Sequence, residues 1–272
     1  GLTVLREIWR SLPYESTVYF GDNGRWPYGS KSHDTIVKYA LENMRFLESQ
    51  NVKMIVIACN SASAHAYEIL CAHSKVPVVE VILPGAEQAV KSTRNGRIGV
   101  IATRATVSSG VYKHAIKRVV DLMQDECAHE RLHELDIEEV ACPLFVALAE
   151  EGWWNKPVTR LIAEDYLKRL KERDTDTLVL GCTHYPLLSE VISDVMGPHV
   201  RLINSGASVA QKVCKTLQEY DIQNNKAMSV SHAFYTSDDP KMFEALASPF
   251  LGGGRPTGTK HILTDSYREG YD

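Results

Sequence analysis

The sequence holds no Cys-x-x-Cys pair, no apolar run approaching the length of a membrane span, and no block of Lys or Arg. The first absence removes the zinc ribbon and the thioredoxin-type redox motif. The second leaves no membrane-spanning helix, and the N-terminus lacks a signal-peptide layout. A soluble cytoplasmic protein without a membrane partner is therefore expected. The third, with a formal net charge of -4, gives no support to nucleic acid as the main partner. Cysteine is sparse, with six in 272 residues, at positions 59, 71, 127, 142, 182 and 214. They are too widely spaced to staple a small domain, so they read as reduced thiols in a reducing compartment. For Cys71, Cys127, Cys142 and Cys214, a small buried or half-buried side chain is a sufficient account.

What is present is ordinary globular composition, 44% hydrophobic and 24% charged. The length exceeds the usual single core, which points to two domains. Strands alternate with helices along the chain, and that alternation predicts an α/β fold, two similar α/β domains with mainly parallel sheets. A domain crossing is expected at the polar stretch 92–96, so that residues 1–94 plus 206–251 form the first domain and 95–205 the second. Residues 252–272, opening on Gly252, Gly253 and Gly254, read as a glycine-rich linker and tail.

Two stretches stand out because they share one design. The β-branched run 54–58 reads as an interior parallel strand and stops at Cys59, after which Asn60, Ser61 and Ser63 offer cap side chains to a helix. Residues 177–181 form a second apolar strand, ending at Cys182, with Thr183 and His184 next and a helical pattern over 187–196. A cysteine at the carboxyl end of a parallel strand and beside a helix N-terminus sits where open α/β sheets bind ligands. Amides and helix dipole there favour an anion, either a thiolate or a substrate carboxylate.

The intervening chain supplies helices over 2–12, 34–48, 86–91, 111–122, 158–170, 207–220 and 240–247. Strands are expected over 17–20, 77–83, 97–102, 139–142, 201–203 and 229–235. Trp26, Pro27, Tyr28 and Gly29 follow the turn 21–24 and suit either a pocket wall or a packed loop. The hydroxyl-rich turn 103–110, with Thr103 and Thr106, suits helix capping and ligand contact equally. Glu150 ends an apolar run, the usual setting of a solvated helix end.

Four motifs, Ala58-Cys59-Asn60-Ser61-Ala62-Ser63, Gly181-Cys182-Thr183-His184-Tyr185-Pro186, Asp22-Asn23-Gly24-Arg25-Trp26-Pro27-Tyr28-Gly29 and Gly1-Leu2-Thr3-Val4, resemble the cofactor-independent aspartate/glutamate racemase family. Within it they are most similar to the members acting on glutamate. The resemblance spans roughly residues 1–251. It implies two domains facing each other across a cleft, with one cysteine from each. The implied activity is interconversion of L- and D-glutamate, the latter used in bacterial peptidoglycan synthesis for the cell wall and cell shape. It implies no cofactor, no metal, and compatibility with a homodimer. It also implies Cys59 and Cys182 as the acid/base pair, His184 as proton partner of Cys182, and Glu150 beside that histidine. Asn60, Ser61 and Thr183 would hold the charged groups of the substrate, Tyr28 and Gly29 would close the pocket, and Thr103 and Thr106 would stand on its second wall.

Ser61 replaces the threonine more usual in the family. The family also begins with a strand and an Asp-Ser-Gly loop just ahead of Gly-Leu-Thr-Val, supplying an aspartate that assists the first cysteine. Here the sequence starts at Gly1. Two readings stay open, a chain that has lost the loop or a rearranged one in which Ile262 to Ser266 supply the strand from the other end. The alternatives in function are a racemase of aspartate, of another amino acid or of a hydantoin, and a catalytically disabled binding protein.

Overall fold

A computed structural model describes residues 1–123, 135–225 and 229–267; Cys127 lies outside them. The chain opens on α1 (Leu2–Ser11) and β1 (Thr17–Gly21), and two short 3-10 turns at Asn23–Arg25 and Tyr28–Ser30 lead to α2 (His33–Ser49). Next come β2 (Ile55–Ile57), α3 (Asn60–His73), β3 (Val78–Glu80) and α4 (Ile82–Ser92). The middle of the chain forms β4 (Arg97–Ala102), α5 (Arg104–Ser109), α6 (Val111–Asp121), β5 (Asp136–Ala141), α7 (Leu144–Glu150), α8 (Pro157–Glu172), β6 (Thr177–Gly181), α9 (Ser189–Met196) and β7 (Arg201–Ile203). The last part is α10 (Ser205–Glu219), β8 (His232–Thr236), α11 (Pro240–Phe250), β9 (Lys260–His261) and a 3-10 turn at Thr264–Tyr267.

Every strand pair is parallel. The order β5-β4-β6-β7 forms one four-stranded sheet, the continuous sheet of the second α/β domain. The first domain is built differently, from a sheet β1-β8-β9 and a separate pair β2-β3. Between β1 and β2 runs a cavity lined by Val18 and Phe20 on one side and by Ile55, Val56 and Ile57 on the other. Parallel strands of this kind are buried on both faces and so read as unbroken apolar runs, and residues 98–102 of β4 and all of β6 are indeed buried.

One core joins the two domains. Val4 and Ile8 of α1, Ala86 and Val90 of α4, Ile98 and Val100 of β4, Tyr112 and Ile116 of α6 and Val209 of α10 pack together. A second core covers the other face of the four-stranded sheet, and a third packs α2 and α3 against β2.

Three local expectations are revised. The third strand stops at Glu80 rather than running on to residue 83, because its buried carboxylate accepts from the amides of Ile82 and Leu83 and starts α4 there. The hydroxyl-rich turn is a helix, α5, whose N-cap Thr103 accepts from the Thr106 amide. The tail contributes only Lys260 and His261 as strand, hydrogen-bonded to the outer edge of β8, so Ile262 to Ser266 do not enter the gap between β1 and β2. The tail then rests on α2, where Arg45 donates to the Tyr267 carbonyl and Phe46 meets the Tyr267 ring.

Candidate active site

The carboxyl ends of β1, β2, β4 and β6 converge on one cavity of about 780 Å³, lined by both Cys59 and Cys182. Cys59 is the N-cap residue of α3, its carbonyl accepting from the Ser63 amide. The next two side chains, Asn60 and Ser61, are buried at the wall. The first helical turn of α3 thus presents amide N–H groups where an anion would sit. Among the described residues no hydrogen bond reaches the Cys59 sulfur.

Ser61 belongs to a buried cluster of hydroxyls that crosses between the domains. Its Oγ lies 2.9 Å from Thr103 Oγ1 and 3.4 Å from Thr106 Oγ1, and the two threonines are 3.1 Å apart. Gly29 packs directly on this group, because a Cβ built there would stand 2.5 Å from Thr103 Cβ. The structure thus sets Gly29, Ser61, Thr103 and Thr106 side by side. The Tyr28 hydroxyl is turned away to donate to Asp22 and accept from Asn43 Nδ2, so this residue offers the site its ring and backbone.

The Cys182 side is equipped with a relay. His184 Nδ1 lies 3.7 Å from the Cys182 sulfur, and His184 Nε2 lies 2.9 Å from Glu150 Oε1 at the end of α7. Burial pushes the Cys182 thiol up to about 12, against the pull of the His184 amide, with the charge of Cys59 adding to the rise. Cys182 is therefore a thiol at neutral pH. Burial also holds His184 below its ordinary value, outweighing the opposing hydrogen bond from Glu150. The imidazole is neutral, with Nε2–H given to the carboxylate and the Nδ1 lone pair facing the thiol. Glu150 is thus no idle helix end. Thr183 is tied to α1, its carbonyl accepting from Thr3 Oγ1 at 3.0 Å.

Several contributors have no role assigned from the sequence, two of them, Arg25 and Trp26, inside the motif 22–29. Arg25 is clamped by Asp22 at 2.8 Å, by the buried Glu42 and by Asn43 at 2.8 Å, with its guanidinium 4.1 Å from the Tyr39 ring centroid. This cluster fixes the loop that carries Tyr28 and Gly29. Trp26 and Phe250, both from the first domain, place their rings 6.1 Å and 5.3 Å from the His184 ring. Tyr112 donates to Asn60 Oδ1 at 2.7 Å. Glu42, Tyr112 and Phe250 lie far from their partners in the chain, so no local signal marks them. Among the described residues no cluster of three or more His, Cys, Asp and Glu is arranged to hold a metal ion, and no helix is long and apolar enough to cross a membrane.

Residues 4–213 match the Asp/Glu/Hydantoin racemase family. Among similar proteins, the glutamate racemase of Geobacter metallireducens is 45% identical over 253 residues, 93% of this chain and 89% of the relative. That of Enterococcus faecalis is 42% identical over 253 residues, 93% and 88% of the two chains. Among solved structures, glutamate racemase isoform RacE1 from Bacillus anthracis superposes with a TM-score of 0.86 at 34% identity, covering 96% of this chain and 93% of that one. The Francisella tularensis enzyme, solved in complex with D-glutamate, gives 0.86 at 33% identity over 98% and 95%.

Proposed function

Because the chain belongs to the Asp/Glu/Hydantoin racemase family, we propose that it is a glutamate racemase working through Cys59 and Cys182, without a cofactor. The observation that carries this reading is the presence of both cysteines, each at a parallel strand's end, on the wall of one cavity. Racemisation removes the Cα proton from one face and returns a proton to the other, so an acid and a base must flank one carbon. For the enantiomer whose Cα–H faces Cys59, that sulfur is the base, and Cys182, held protonated by burial, is the acid. In the opposite direction Cys59 must enter as thiol, carrying the proton abstracted in the previous turnover or one from solvent, and Cys182 as thiolate. His184 Nδ1 can take the Cys182 proton, with Glu150 stabilising the resulting imidazolium.

A carbanion without an electron sink needs fixed donors. Asn60, Ser61, Thr103, Thr106 and Thr183, with the amides of the first turn of α3, are the groups we assign to the substrate's carboxylates and to the charge that develops beside Cα. The relatives' names favour glutamate as substrate, and D-glutamate made here would serve peptidoglycan synthesis.

The test is solvent-deuterium exchange at Cα together with a circular dichroism assay on both enantiomers of glutamate and aspartate. Cys59→Ser and Cys182→Ser are each expected to lose about 10²- to 10⁴-fold in racemisation, the usual share of an acid/base group. Undiminished turnover in Cys182→Ser removes the two-thiol mechanism, and preference for aspartate removes the substrate assignment.

A further inference from the structure

Asn60 is 3% exposed, yet its Nδ2 has no hydrogen-bond partner. A buried donor left unpaired loses its hydration without compensation, so the fold holds this amine ready for an acceptor it does not itself supply. Asn60 lines the cavity next to Cys59, and the acceptor that fits is an anionic substrate oxygen. An asparagine side chain can turn its oxygen and nitrogen end for end, so something must fix which one faces the ligand.

Tyr112 of α6 is fully buried, and its hydroxyl donates to Asn60 Oδ1 at 2.7 Å. The same ring lies against the backbone on the other side of the site. A Cβ placed on Gly181, the residue before Cys182, would stand 3.1 Å from Tyr112 Cε2. One side chain thus reaches from the neighbour of one cysteine to the neighbour of the other. Burial, reinforced by the neighbouring Glu80 and Glu139 carboxyls, keeps the hydroxyl protonated, so it remains a donor through the neutral range.

We infer that Tyr112 is a positioning residue: its O–H fixes the Asn60 amide so that Nδ2 faces the substrate carboxylate, while its ring sets the spacing of the two cysteine turns. The inference rests on the racemase reading above and adds to it a residue outside the cysteine motifs.

The experiment is a double-variant cycle on the full chain, read by steady-state racemisation of D- and L-glutamate with melting temperature as the control for folding. Tyr112→Phe keeps the ring and removes only the hydroxyl. It is expected to raise KM about 10-fold, equivalent to about 1.4 kcal/mol, with kcat changed less than about 3-fold. Asn60→Ala is expected to raise KM at least as much, and the double variant to match Asn60→Ala alone, because Tyr112 acts through the asparagine. Asn60→Asp leaves an oxygen for the tyrosine proton but replaces the free amine by a repelling oxygen, so it raises KM without disturbing the core ring. A lowered melting temperature with unchanged KM in Tyr112→Phe overturns the inference, as do penalties that multiply in the double variant. An unchanged KM in Asn60→Asp overturns it as well, while continuing turnover would leave the racemase reading standing. Absence of racemisation by the unsubstituted chain is the separate result that sinks that reading.

Discussion

Cys59 and Cys182 end strands of the same kind, yet the sheets around those strands are unlike. β6 is flanked by β4 on one side and β7 on the other, in a sheet with no break. β2 has β3 on one side and open cavity on the other. The enclosed thiol is 8% exposed and strongly favours its proton, with His184 and Glu150 lined up behind it. The thiol on the broken sheet is only half buried and stands at the start of a long helix. The same strand–turn–helix unit therefore yields two chemically different sulfurs, and the difference comes from what lies beside the strand.

The sharpest way to probe that contrast is amide hydrogen exchange. In β1, Thr17 donates to Ser231, and in β2, Ile55 donates to Pro77. By the alternation of a parallel ladder, the amides of Val18, Phe20 and Val56 point away from those partners and into the cavity. They are expected to exchange about 10³-fold or more faster than Val100 and Val179, which lie in strands paired on both sides. Equal protection in an unliganded sample would show that the two sheets are not unlike in solution.

Next in size is Gly29→Ala, which attacks the contact that binds the two domains beside Ser61. The added methyl has no room against Thr103, so loop and helix must separate. A displacement of about 1 Å at a reacting centre costs on the order of 10²-fold in kcat/KM. Wild-type kinetics in this variant would mean that the hydroxyl cluster does not set substrate position.

The smallest effect is expected from His184→Gln, about 10-fold. The two enantiomers have equal free energy in water, so kcat/KM must fall equally in both directions. The contrast between the two sulfurs then shows in kcat and KM separately. The pH dependence has a definite sign. His184 is held below 6.5 by burial, so activity requiring neutral Nδ1 is lost as pH falls through that lowered value, and the glutamine variant loses this acid limb. Stability follows the same sense. The unfolded chain takes up the proton first as pH falls through 6.5, so the histidine destabilises the fold progressively until its folded value is passed.

The α/β class and the Cys59 strand–helix unit were legible because their signals are local, an apolar run followed by small polar residues, whereas a 3-10 turn at Tyr185–Leu188 separates Cys182 from α9, which starts at Ser189 rather than at 187. The four-stranded order and the gap in the first sheet were not legible, since a strand's neighbours are chosen by contacts between distant segments. Residue 262 onward shows the limit plainly. Its apolar start reads as a strand, but only Lys260 and His261 find a free edge, on β8. The family resemblance names Cys182, His184 and Glu150, and the fold sets them side by side. Glu42, Tyr112 and Phe250 were not legible, because each reaches the site from a helix whose own periodicity shows only a buried face.

Trp26 and Phe250 approach the His184 imidazole from the first domain, whereas the histidine itself belongs to the second. Any parting of the two domains would pull the indole off the His184 ring, and the emission of Trp26 would report that separation.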